Sequence, residues 1–134
     1  MVSLPGGIKV PQAERDELAR LLTSIRSALD AARSEVAAGR VPGADELEGL
    51  RAALLTLLSK SALGLALDRV QRYLRADLFQ LVAALRTPGI AATALVPLLE
   101  QQSVALEAAA RQAGAVVGGA TSKAGGRNFW ESSI

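Results

Sequence analysis

Neither cysteine nor histidine occurs in this 134-residue chain. Without cysteine there is no disulfide, no thiolate nucleophile and no zinc–sulfur site. Without histidine the commonest general base, the commonest metal ligand and the usual switch near neutral pH are missing too. Carboxylates, lysine or serine can still carry a reaction, but the two absences together weigh against an enzyme. Aromatic residues are nearly as scarce: Tyr73, Phe79, Phe129 and Trp130 are the whole set. With few aromatic and β-branched residues, little in the composition favours sheet. Charge of neither sign dominates, since the net is +2, so no general affinity for nucleic acid is expected. The N-terminus lacks the basic and apolar regions of a secretory signal. The most apolar stretch, 52–67, contains Lys60 and is shorter than the ~18 residues that suggest a membrane span. These absences lead to an expected cytoplasmic protein with no cofactor and no metal.

What the chain has in abundance is leucine and alanine, the bulk of an apolar fraction of 50%. Both are strong helix formers. A chain of this length hides roughly two thirds of its unfolded surface on folding, enough for a core without staples. The expectation is an all-α, up-and-down helical bundle of three or four helices over residues 1–113, followed by a flexible glycine-rich tether over 114–134.

Residues 1–11, with Pro5, Pro11, Gly6 and Gly7, read as an irregular lead-in, and Pro11 suits the first turn of a helix. The first helix is predicted at about 12–38, where Leu18, Leu21, Leu22, Ile25, Leu29, Ala32 and Val36 recur at three- and four-residue steps. Gly39 provides the stop, and Val41, Pro42 and Gly43 the turn. A second helical region opens at Asp45, a candidate N-cap with Glu48 in capping-box position.

No proline interrupts the chain from there to Pro88, so 45–86 could form one long rod. Its periodicity argues otherwise. At ~100° per residue, Leu47, Leu54, Leu57 and Leu58 fall within about 80° of Leu50, whereas Leu63, Leu67, Val70, Leu74, Leu78, Leu81 and Leu85 cluster near about 240°. The stripe changes face around 59–64, and a break there lets both halves meet one core. Gly64, which costs about 1 kcal/mol inside a helix, fits a break. After the terminator Thr87, Pro88 and Gly89, a last helix is predicted at about 93–113, with Pro97 in its first turn. Leu95, Leu98, Leu99, Leu106 and Ala109 mark its buried face, and Ala105, Ala109 and Ala113 form a ridge of small residues.

Several features invite a functional reading. Phe129 and Trp130 stand together beyond the glycine-rich tether, flanked by Arg127 and followed by Ile134, and these four residues are the candidate partner-binding segment. Aromatic side chains bury much area and anchor interfaces, and a tether raises their effective concentration. The segment could dock on a partner or neighbouring subunit, or fold back on its own bundle.

Arg69, Arg72 and Arg75, with Tyr73, form a stripe able to grip phosphates or an acidic partner, or simply a solvated helix face. Glu100 and Glu107 lie two turns apart beside Gln101 and Gln102, but the Glu-x-x-His pairs of a di-metal bundle are absent. Ser59, Lys60 and Ser61 read as a helix join rather than a serine–lysine nucleophile, and the glycines at 114, 118 and 119 do not form a phosphate loop. Leu55, Leu65 and Phe79 lie off the main stripes, surplus apolar surface that favours at least a dimer.

The expected function is therefore a non-catalytic adaptor, assembly or chaperone-like protein that self-associates through leucine/alanine faces and docks its C-terminal aromatic segment. A membrane-surface or lipid-associated protein and a small secretion-system export chaperone are the alternatives.

Overall fold

The computed structural model describes residues 2–3 and 9–116. Among these the chain is almost wholly helical. α1 spans Gln12–Ala37 and α2 spans Asp45–Lys60. A 3-10 turn, Ala62–Leu65, leads into α3, Asp68–Arg72, which runs through a π turn, Tyr73–Asp77, into α4, Leu78–Leu85. α5 covers Ala92–Val116. α1 lies against α2 and α5, α2 also meets α4, and α5 meets α3, the π turn and α4. One apolar core joins them.

The leucine stripes explain this packing. Every residue of the α1 stripe from Leu18 to Val36 is buried, as are Leu63, Leu67, Val70, Leu74, Leu78, Leu81 and Leu85. The face change between α2 and α3 is accommodated by the expected break. Ser61 is extended, at φ −110° and ψ 150°, and redirects the chain. Its hydroxyl accepts from the Leu63 N–H at 3.1 Å and donates to Glu14 Oε1 of α1 at 2.6 Å. Ser61 thus caps the 3-10 turn and ties it to the first turn of α1, while the Ser59 hydroxyl donates to Thr56 O at 2.8 Å. Ser59 and Ser61 therefore act in the join itself.

Three local expectations are corrected. Val2 and Ser3 pair antiparallel with Val10 and Lys9, so the lead-in contains a two-residue ladder; one of its two pairs joins two β-branched valines, a residue type that favours strands. Asp45 is the first helical residue rather than the N-cap. Ala44, buried in the core, holds the cap position without a side-chain hydrogen bond. Glu48 pairs with Arg51 instead of reaching back. Pro97 stands in the second turn of α5, because the turn closed by Ile90 N–H on Thr87 O releases the chain into helix at Ala92.

α1 ends as predicted at Gly39. Its φ of +83° lets the Gly39 and Arg40 N–H groups turn back onto Val36 O and Glu35 O, both at 2.9 Å, in the Schellman pattern.

Arg51 is a polar bracket between α2 and the π turn. Its guanidinium donates to both Glu48 oxygens, at 2.7 and 3.0 Å, and to Leu74 O at 3.3 Å. It also lies 5.2 Å from the Phe79 ring centroid, which shields that half-exposed ring. The hydrogen bond from Arg51 holds the Glu48 carboxyl below its ordinary value. With the folded value below the unfolded one, the pair's contribution is fully present above the ordinary carboxylate range. It fades as pH falls through the folded value. Glu48→Gln is expected to cost about 0.5–1 kcal/mol at neutral pH. Urea midpoints of the variant and wild type should then converge in strong acid; a gap that stays constant with pH would contradict this assignment.

Candidate interaction surface

α5 buries Leu95, Leu99, Leu106, Ala109, Ala110 and Ala113, and this fixes what its other sides present. Val96 and Val104 remain 41% and 73% exposed, although both are β-branched and fully apolar. Alongside them, where α1 meets α5, run two open grooves. The larger, about 410 Å3, has Leu29, Val104 and Leu106 in its walls and Arg26, Asp30, Arg33, Glu107 and Arg111 around them. Glu107 is shared between Arg26, at 3.2 Å, and Arg111, at 3.9 Å, so this carboxylate serves ion pairing between the helices. The smaller groove, about 260 Å3, is walled by Val36, Ala37, Val96 and Leu99, with Arg33 and Glu100 as its charged groups. Arg33 lines both grooves, donating to Leu99 O at 3.3 Å and standing 3.7 Å from Asp30. The two grooves thus form one apolar face rimmed by charges of both signs.

A third groove, about 280 Å3, brings together two features separated in sequence. Arg69, Arg72, Tyr73 and Asp77 line it from α3 and the π turn, and Ala105, Ala108 and Ala109 from α5. The small side chains of the alanine ridge are what leave this space. Arg75 of the same stripe is exposed and does not line it. The Tyr73 hydroxyl is buried with no hydrogen-bond partner among the described residues, and burial, helped by the Asp77 charge, pushes its pKa above the ordinary phenol value. The Asp77 carboxylate accepts from Gln101 Nε2 at 2.5 Å.

Of the other predicted site residues, Phe129, Trp130, Arg127 and Ile134 lie outside the described residues, as does most of the tether. The off-stripe residues divide: Leu65 is 78% and Phe79 50% exposed, while Leu55 is half-buried against the core. Among the described residues, no group of three or more acidic side chains is placed to hold a metal. Nor, among them, is any helix long and apolar enough to cross a membrane.

Val104 also carries a signal in the sequence. At ~100° per residue Val104 stands about 180° from Leu95, opposite the buried stripe. The fold and this face define an almost wholly helical protein with an open surface of apolar side chains set among charges of both signs. Comparison with protein-family models, with curated proteins and with solved structures found no match.

Proposed function

We propose that this is a non-catalytic adaptor or assembly protein of the cytoplasm. It self-associates through its α1/α5 face and uses the segment containing Arg127, Phe129, Trp130 and Ile134 as a second contact element. The observation that carries this reading is Val104, 73% exposed beside a groove rimmed by both acidic and basic side chains. Covering such a surface yields about 25 cal/mol per Å2 of apolar area. The alternating charges give the contact a preferred register, since like charges brought together are costly.

Val104→Glu puts a charge at the centre of that face without touching the core. The dissociation constant of the self-associated form is expected to rise at least about tenfold, about 1.4 kcal/mol, with helicity unchanged. Light scattering over a concentration series measures it. A wild-type protein that stays monomeric at its highest soluble concentration, or a variant that associates as well as wild type, would defeat the reading.

A further inference from the structure

The smaller α1/α5 groove has a shape and charge that select among the chain's own segments. Its walls are Val36, Ala37, Val96 and Leu99, and its charged groups are one cation, Arg33, and one anion, Glu100. A ligand for it needs a bulky apolar centre with one charge of each sign beside it. Residues 127–131 have that makeup: Arg127, then Phe129 and Trp130, then Glu131. Among the described residues, the exposed aromatic ring is Phe79, and it already lies against Arg51.

The reach is sufficient. From Val116, the end of α5, back to Leu99 is about 26 Å along the helix axis at ~1.5 Å per residue. The twelve residues 117–128 span up to about 40 Å when extended. A linker long enough to span such a gap holds the group it carries at up to about millimolar effective concentration. A contact too weak to form between separate molecules can form within one chain on these terms.

We propose that Phe129 and Trp130 seat in the Val36–Val96–Leu99 groove of their own chain, with Arg127 toward Glu100 and Glu131 toward Arg33. The seated segment covers the apolar end of the α1/α5 face, so any partner for that end has to displace it. This rests on the reading of that face as a contact surface, and it names one occupant.

Trp130 is the chain's single tryptophan and reports on its own position. In the full-length protein its emission is expected to be blue-shifted, and its acrylamide quenching reduced, relative to a peptide of residues 125–134. Both effects should be independent of protein concentration and should persist in Val104→Glu. Val96→Glu, at a partly exposed position, should bring emission and quenching to the peptide's values while circular dichroism stays the same. Glu100→Arg should weaken the seating, and adding Arg127→Glu should restore it.

Peptide-like emission in the wild type would overturn the proposal, as would shielding that survives Val96→Glu. Shielding that grows with concentration and disappears in Val104→Glu would place the segment on a neighbouring copy and overturn the intramolecular contact. Light scattering of Val104→Glu is read without the tryptophan, so failure of self-association and failure of tail seating are separately visible.

Discussion

Replacing Gln102 with glutamate is expected to remove about 3–5 kcal/mol of stability at neutral pH and little below about pH 4. Gln102 is fully buried on the inner face of α5. Its Nε2 donates to Asp77 O at 2.7 Å, and its Oε1 has no partner among the described residues. Asp77 closes the π turn, in which Leu78 N–H bonds Tyr73 O five residues back. The widened turn is bracketed by side chains: Arg51 donates to Leu74 O and Gln102 to Asp77 O.

An ionised carboxylate at position 102 cannot donate to that carbonyl, faces its oxygen instead, and is stripped of water. A protonated one can donate its O–H and restore the contact. The folded-state pKa is therefore raised above the unfolded ~4.3. The penalty is absent below the unfolded value, grows as pH rises between the two, and is complete above the folded value. The slope is opposite to that of the natural carboxylates: Glu17, Glu35, Glu48 and Asp68 are all held low by hydrogen bonds and lose their contribution in acid.

Gln102→Leu separates charge from geometry. It leaves the Asp77 carbonyl without this donor at a cost of about 1–3 kcal/mol that does not vary with pH. Urea unfolding of the three proteins between pH 4 and neutrality is the measurement. A glutamate penalty as large in acid as at neutrality would show that the position suffers from shape and not from charge.

How much of this was legible in the sequence follows from which interactions leave a periodic trace. Leu18 through Val36 and Leu63 through Leu85 are buried as their spacing predicts, because burial of a helix face is written at 3.6-residue intervals. The join at 59–64 was visible as a jump in the direction of that face. Gln102 was legible in principle as well: at ~100° per residue it falls about 20° from Leu95, a polar residue on the apolar stripe.

The π turn left no mark, since Leu74, Leu78 and Leu81 keep ordinary three- and four-residue steps through it. The Asp45 and Glu48 pattern misled for a related reason. The buried Ala44 fixes where α2 begins, and that depends on packing across the core rather than on the local string. The α1/α5 face was legible only in halves. Each groove is made by pairing residues near 30 with residues near 100, and no local pattern records that pairing.

Gly64 shows the same limit from the side of energetics. Read along the chain, it is a glycine whose cost in a helix interior favours a break. In the fold it is required by contact. A Cβ added at Gly64 would lie 2.2 Å from Leu58 O and 3.1 Å from Leu58 C, both backbone atoms at the end of α2. Backbone cannot rotate aside as a side chain does, so Gly64→Ala must push the 3-10 turn off α2. That displacement strains three contacts at once: Gly64 N–H to Ser61 O at 3.1 Å, Gln71 Nε2 to Gly64 O at 2.8 Å, and the seating of the fully buried Leu63. Overpacking of this kind costs about 1–3 kcal/mol, and the upper end is expected because hydrogen bonds go with it.

Gly49→Ala is the opposite case. Gly49 lies inside α2 with nothing within 4 Å of the added methyl, so alanine is expected to stabilise by about 1 kcal/mol. Thermal melts should therefore move in opposite directions for two substitutions of identical chemistry, down by about 10 °C for Gly64→Ala and up by a few degrees for Gly49→Ala. If both proteins melt near wild type, the close approach of the 3-10 turn to Leu58 is not what holds the join. In that case Ser61, through Glu14 and Leu63, remains the candidate for fixing the angle between α2 and α3.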